Sequence, residues 1–168
     1  LRDGVTDVAV TTGEAVPPGT ELGGWDREWG LVVPAGNPDG VEGLSSLIDG
    51  DVRFVNRTTD SGIRSTLEGA LDELAADRGV ERRELTETIS GFELAVRAHE
   101  SPARKVRSGG ADAGLGLRVT AESLGMDFVH CGTERVRVVA DDSRVEKPGV
   151  RALAEAIEGA DEIIRNGR

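Results

Sequence analysis

The sequence predicts an α/β fold in which a mostly parallel β-sheet is flanked by helices, and two observations lead to it. Short apolar runs that suit buried strands alternate along the chain with segments whose apolar residues recur at helical spacing. Such alternation is typical of a parallel sheet covered by helices. In addition, Arg2–Val10 and Arg107–Leu115 share a Gly-x-x-Asp pattern that leads into a small apolar strand. This repeat indicates two similarly wound halves.

The elements are assigned in chain order from these patterns. The clearest is a helix with apolar residues such as Ile63, Leu67 and Leu71 at helical spacing, which Gly79 ends. The predicted strands are 8–10, 31–33, 52–55, 111–117, 128–131 and 135–140. The predicted helices are 38–47, 63–75, 102–107, 119–124 and one from Pro148 that buries Val150, Leu153, Ala154, Ile157 and Ile164.

The segment 11–30 is predicted to be a long exposed loop. It is rich in Gly, Pro and polar residues, and Val16-Pro17-Pro18-Gly19 does not suit regular structure. It is either a plain connector or a lid over a ligand cleft. Trp25 and Trp29 either anchor this segment or, as the default for a tryptophan, pack against the core.

The charge limits the classes of partner. The net charge of −11 argues against a nucleic-acid-binding surface, which requires a basic stripe. An anion site must therefore be a local positive pocket within a negative field. The acidic composition fits either a salt-adapted protein or an ordinary acidic one.

The remaining composition points to a protein without disulfides or metal. Cys131 is the only cysteine, and His99 and His130 are too far apart in sequence to suggest a metal site. The apolar runs are too short to span a membrane, and no signal segment is visible, so a cytoplasmic location is expected. The chain begins at Leu1, which leaves open a fragment, a processed form or part of a longer protein.

The stretch Val52–Arg64 carries the strongest functional signal. It is predicted to run from a short apolar strand through a polar turn to Ser61-Gly62, which opens a helix. Free amides and a partial positive charge at a helix N-terminus suit a small anion. The structural alternatives are that Ser61 only caps its helix, and that Arg57 and Arg64 only pair with nearby carboxylates.

Other polar residues are predicted at neighbouring strand ends, where ligands collect in open α/β sheets. His99 and Ser101 precede a predicted helix, Thr11 and Thr12 follow the first strand, and Gly116 lies near the end of a later one. The candidate ligand-binding residues are Thr11, Thr12, Arg57, Ser61, Gly62, Arg64, His99, Ser101 and Gly116.

An enzymatic function is not predicted. No G-x-S-x-G motif surrounds any serine, His99-Glu100 lacks the second histidine of a zincin helix, and no Walker lysine follows a glycine-rich loop. No catalytic residue, metal ligand or cofactor is expected.

Four segments together resemble a known family: Gly30–Pro38, Leu44–Leu47, Val52–Arg64 and Gly109–Gly116. They look like the type II periplasmic-binding-protein-like domain that is fused to molybdopterin-biosynthesis proteins and to molybdate-linked regulators. The domain is also similar to the effector domains of LysR-type regulators. The resemblance implies two lobes, 1–36 with 134–168 and 37–133, and a ligand in the cleft between them.

Position by position, Arg57, Ser61, Gly62 and Arg64 match the N-R-x-x-x-S-G-x-R segment of that family. His99 lies where such domains often carry a histidine after Ser or Thr, although Ala98 precedes it here. The family normally opens with a strand, a helix and a strand that this chain lacks. The first lobe is therefore either abbreviated or incomplete in this sequence.

Three functions follow from the resemblance. The first is a sensing or carrying domain for a small oxyanion, with molybdate or tungstate as the leading ligand. The second is an accessory domain that binds an organic anion or pterin precursor, or a LysR-type effector-binding domain. The third is an interaction module with an empty cleft. The expected partner is a fused or associated DNA-binding or cofactor-biosynthesis domain; direct nucleic-acid binding and a membrane are not expected, and the oligomeric state is open.

Overall fold

The computed structural model describes residues 6–12 and 16–166 and shows a mixed α/β fold. A six-stranded sheet in the order β1-β6-β2-β5-β3-β4 is flanked by helices. The strands are β1 (Val8–Thr12), β2 (Thr20–Val33), β3 (Phe54–Arg57), β4 (Ala95–Val96), β5 (Ala113–Leu117) and β6 (Asp127–Ala140). The helices are α1 (Leu44–Asp49), α2 (Gly62–Arg78), α3 (Arg82–Thr88), α4 (Ser101–Arg107), α5 (Arg118–Ser123) and α6 (Pro148–Asn166).

The chain divides into two compact units. Unit 1 consists of Leu1–Asp26 and Arg135–Arg168, and unit 2 consists of Arg27–Glu134. Strands β2 and β6 each pass from one unit into the other. The division into lobes that the resemblance implies, with borders at 36/37 and 133/134, stays a prediction.

The sheet is only partly parallel. Strand β3 pairs in parallel with β4 and β5, as expected for strands that are each followed by a helix. The pairs β1–β6 and β2–β5 are antiparallel, which corrects the expectation of a mostly parallel sheet. The sequence misses this because an isolated apolar run does not reveal the direction of its neighbour.

Unit 2 has a core on each face of its sheet. Successive residues of one strand belong to different apolar clusters: Phe54 packs with Leu31, Leu67 and Leu71 on the α2 side, and Val55 packs with the α4–α5 side. This alternation follows from the two-residue period of a strand, and the resulting cover by helices on both faces buries the central strands. The carboxyl end of β3 is followed, after a short turn, by the start of α2.

Helix α2 confirms the helical pattern predicted for 63–75. Its buried positions include Ile63, Leu67, Leu71 and Ala75, and Gly79 ends it in the left-handed conformation at φ 69°. Helices α4 and α5 and strands β3 and β5 also lie where they were predicted, within a few residues.

The loop predicted over 11–30 is wrong for most of its length. Strand β2 begins at Thr20, and Trp25 is exposed rather than an anchor, whereas Trp29 is buried. A glycine that suggested a loop instead allows two strands to lie close together. A Cβ at Gly24 would lie 2.1 Å from the carbonyl oxygen of Val136. Glycine is therefore needed here for the close approach of two strands.

Three smaller expectations are also corrected. The helix predicted from Pro38 begins at Leu44, because the Asn37 side chain closes a turn by bonding both the amide and the carbonyl of Val41. The segments 128–131 and 135–140 form one strand, β6. In α6, Val150 is buried but Leu153 is exposed. The expected burial of Ile164 lies outside the described side chains, and residues 2–5 of the predicted repeat lie outside the described residues.

Two further features complete the fold. Cys131 of β6 packs partly buried against the α2-side core, and burial raises the pKa of its thiol to about 11. None of the helices in the described part of the chain has the length and apolar character needed to cross a membrane.

Candidate functional site

Arg57 is the last residue of β3 and is only 6% exposed. Its Nη2 donates to the carbonyl of Arg97 at 2.8 Å, and its Nη1 lies 3.2 Å from Nδ1 of His99. Its Nε is buried and has no hydrogen-bond partner within the described residues. No carboxylate among the described residues forms a hydrogen bond or ion pair with this guanidinium. Arg57 is therefore a buried cation with unused donor capacity at the carboxyl end of two parallel strands.

The contact between Arg57 and His99 fixes the charge of the histidine. A guanidinium can only donate, so Nδ1 of His99 accepts and the neutral ring carries its proton on Nε2. Burial, then the charges of Arg57 and Arg27, lower the pKa of His99 below its ordinary value. Burial also lowers the pKa of Arg57, and Arg27 contributes in the same direction while Asp60 opposes it. Burial is thus the main cause of the lowered pKa of Arg57, and the charges of Asp60 and Arg27 act on it in opposite directions.

Arg27 lies on β2 and forms an ion pair across to β6. Its Nε donates to Oε1 of Glu134 at 2.6 Å, and Oε2 of Glu134 accepts from the Thr66 hydroxyl at 2.7 Å. Glu134 is 4% exposed. The single hydroxyl proton of Thr66 serves the shorter contact with Glu134, and the same oxygen lies 3.2 Å from the carbonyl oxygen of Gly62 in the first turn of α2. These contacts connect β2 and β6 with the beginning of α2.

The start of α2 follows Arg57 directly. Ser61 occupies the N-cap position in extended conformation without a side-chain capping bond, and the amides of Arg64 and Ser65 bond its carbonyl. The amides of Gly62 and Ile63 precede this first intrahelical bond. A helix N-terminus and a buried arginine therefore follow one another in the chain, as the Val52–Arg64 pattern predicted.

Arg64 is engaged inside the protein. Its Nε donates to Glu68 at 2.7 Å, its Nη1 lies 3.4 Å from the carbonyl oxygens of Arg57 and Phe92, and its guanidinium carbon lies 4.2 Å from the Phe92 ring centroid. This pattern favours a structural role, and the predicted contact of Arg64 with ligand stays a prediction.

The other predicted residues have the following places in the fold, and their contact with ligand stays a prediction. Thr11 and Thr12 belong to β1 of unit 1, where they pair with Arg137 and Val136. Ser101 is the first residue of the short helix α4. Gly116 lies within β5 opposite Gly30, and a Cβ there would lie 2.6 Å from a methyl carbon of Val32, so its role in the structure is close packing. The structure brings together Arg57 and His99, with Ser61 and Gly62 next in the chain.

Sequence patterns do not single out Arg27 or Glu134. They are 107 residues apart, and their pairing depends on strands that were assigned as a loop and as a strand break. A signal exists in β6: if 127–140 is one strand, its two-residue period places Glu134 on the same face as the buried Val136 and Val138. Within the described ranges, no group of three or more His, Cys, Asp or Glu residues could hold a metal ion.

Comparison with known proteins identifies the fold. Residues 8–158 match the model of a PBP superfamily domain. The Bacillus subtilis (strain 168) protein YvgK, itself uncharacterized, is 34% identical over 113 residues, which cover 67% of this chain and 34% of YvgK. This chain thus spans about a third of the length of that relative.

Two solved structures share the fold at low sequence identity. The regulatory domain of CrgA, a LysR-type transcriptional regulator from Neisseria meningitidis, aligns with a TM-score of 0.60 and 12% identity, covering 95% of this chain and 78% of that one. PEB3 bound to L-phospholactate aligns with a TM-score of 0.58 and 15% identity, covering 95% and 66%. Identities this low establish the fold alone.

Proposed function

This chain belongs to the PBP superfamily, and we propose that it is a non-catalytic domain that binds a small anion at Arg57. The observation that carries the proposal is the state of this guanidinium: it is 6% exposed, its buried Nε has no partner within the described residues, and no carboxylate there bonds it. A buried charge without a partner is costly, and a buried donor without an acceptor costs about 1–3 kcal/mol. An anionic ligand would supply both the charge and the acceptor.

The surroundings support an anion rather than a cation. His99 is held neutral beside Arg57, so it offers its Nε2–H as a donor, and the charge of Arg27 acts on both residues. The first amides of α2 follow in the chain. Guanidinium and amide donors are the groups that bind oxyanions and carboxylates.

Two ligand classes fit these donors. A tetrahedral oxyanion, molybdate or tungstate first, is the ligand that the sequence resemblance implies. A small organic anion, which includes a pterin precursor, is the alternative, because a guanidinium matches carboxylate and phosphate geometry in two-point contacts. PEB3 has the same fold and was solved with the organic anion L-phospholactate, which supports the second class.

The proposal for the whole protein is ligand sensing or delivery in the cytoplasm. The fold is shared with the regulatory domain of a LysR-type regulator, and YvgK is about three times as long as the matched part. A DNA-binding or cofactor-biosynthesis domain in the same polypeptide is thus the partner we propose, and ligand binding would shift the population of domain conformations that it reads.

Calorimetry and thermal unfolding test the proposal directly. The purified chain is titrated with molybdate, tungstate, sulfate, phosphate and L-phospholactate at constant ionic strength. A ligand that binds only the folded protein raises the melting temperature. We expect at least one of these anions to bind and Arg57→Gln to abolish that binding.

The matched control is Arg83→Gln. Arg83 is an exposed arginine on α3, so this substitution removes the same charge from a surface position. Equal loss of binding in both variants would show only a general charge effect. Binding that survives Arg57→Gln would overturn the assignment of the site.

A further inference from the structure

Arg27 retains free donors although it is part of an ion pair. Only its Nε bonds Glu134, and its two terminal nitrogens have no hydrogen-bond partner in the part of the chain that the structure describes. Its side chain is 25% exposed, so a ligand can reach it. An arginine held at Nε and open at Nη1 and Nη2 presents the two nitrogens that most often contact an anion.

Glu134 orients Arg27 rather than only neutralising it. The carboxylate is fixed at both oxygens, by Arg27 at 2.6 Å and by the Thr66 hydroxyl at 2.7 Å. Thr66 lies in the first turns of α2, which begins at Gly62. Because α2 starts five residues after Arg57, this chain of contacts positions Arg27 relative to the turn that follows Arg57.

The charges of the two arginines interact. The positive charge of Arg27 lowers the pKa of Arg57 and of His99, which places all three groups within electrostatic reach of one another. One buried carboxylate, Glu134, is hydrogen-bonded to this set, and Asp60 acts on Arg57 from an exposed position. Repulsion between two guanidinium groups is relieved more by two negative charges on a ligand than by one.

We propose that Arg27 is a second anion-binding residue, and that Arg27 and Arg57 together select a doubly charged anion over a singly charged one of the same shape. Glu134 is the positioning residue that keeps the Arg27 terminal nitrogens directed to the ligand. The inference rests on the proposed function, since it concerns the ligand class of the same site. It applies to a tetrahedral dianion and to an organic ligand with two negative charges.

Two isosteric anions separate charge from shape. Tungstate and perrhenate are both tetrahedral and of similar size, but tungstate carries two negative charges and perrhenate one. Calorimetry at fixed ionic strength should show tungstate binding at least about tenfold more tightly than perrhenate to the unaltered protein, which is the effect of one charged hydrogen bond. L-phospholactate and the corresponding sulfate ester of L-lactate form the organic pair, because the phosphate and sulfate groups have the same shape but carry two negative charges and one.

The test variant is Arg27→Gln combined with Glu134→Gln. The double substitution removes both charges together and keeps two amides that can bond each other, so no buried carboxylate is left unpaired. We expect it to weaken tungstate binding about tenfold more than perrhenate binding, so that the preference for the dianion is lost. Glu134→Gln alone should preserve the preference for the dianion, because Arg27 keeps its charge. Thermal unfolding verifies that each variant is folded.

The outcomes distinguish this inference from the proposed function. Equal binding of both members of each pair, or a preference for the dianion that survives in the double variant, would overturn the role of Arg27 while binding that depends on Arg57 remained. Failure of the unaltered protein to bind either pair would overturn the proposed function and this inference with it.

Discussion

Two buried arginines seven residues apart, Arg57 and Arg64, differ in how far the protein satisfies their guanidinium groups. Arg64 is 4% exposed and has a carboxylate, two carbonyl oxygens and an aromatic ring around its guanidinium. Arg57 is 6% exposed and has a single carbonyl, a neutral histidine and an unpaired Nε. Burial alone therefore does not distinguish Arg64 from Arg57, for which we propose ligand binding. The distinction lies in whether the protein itself satisfies the charge.

The largest expected effect is on the structural member of the pair. Arg64→Met removes the ion pair with Glu68 and the Nη1 contacts with the carbonyl groups of Arg57 and Phe92, of which Phe92 keeps the Asn56 side chain as a donor. Because Glu68 is partly exposed and can be rehydrated, we expect a loss of about 2 kcal/mol in the free energy of unfolding, below the value for a fully buried pair. Urea denaturation measures it.

The control for this substitution is Arg83→Met. Arg83 forms the same type of pair with a glutamate four residues later, but both side chains are exposed, so the loss should stay below about 1 kcal/mol. If Arg64→Met costs no more than this control, the structural role assigned to Arg64 is wrong.

A smaller effect is expected at Arg57. Replacing an unpaired buried charge by an apolar side chain of similar length is often neutral or stabilising, so Arg57→Met should change the free energy of unfolding by less than about 1 kcal/mol without anion. Urea denaturation with and without the bound anion should show ligand stabilisation in the unaltered protein and none in the variant. A loss as large as that of Arg64→Met would contradict the contrast between the two residues.

The smallest effect concerns pH and His99. Burial and Arg57 lower the pKa of this histidine in the folded protein, so the unfolded chain binds a proton more readily. The contribution of His99 to the free energy of unfolding is therefore fully present above pH 6.5, the ordinary pKa of histidine. It decreases as the pH falls below that value. His99→Gln should flatten this part of the stability profile relative to the unaltered protein. Identical profiles for the two proteins would show that the histidine is not perturbed by Arg57.

The sequence predicted helix α2 and the strand before it well. Helix α2 has apolar residues at regular spacing and a glycine at its end, and the order of strand, turn and helix around Arg57 depends only on neighbouring residues. Local patterns of this kind are readable because the contacts that decide them lie within a few positions.

The other side of the site was not predictable in the same way. Arg27 lies in a glycine-rich segment that forms a strand, β2, in which Gly24 closely approaches Val136 of β6. Its partner Glu134 is 107 residues away. A long-range strand pair has to be known before this ion pair can be inferred, and neither segment reveals the pair in its own pattern. The same reason explains why the two-residue strand β4 was missed.

Cys131 is a natural probe of local unfolding in this protein. It is the single cysteine of the sequence, it packs partly buried against the α2-side core, and its raised pKa keeps it a neutral thiol at neutral pH. Thiol reagents attack the thiolate, so the folded protein should react slowly and each opening event should expose a faster thiol. Labelling rates at one atom would thus report the opening free energy of this region without any engineered probe.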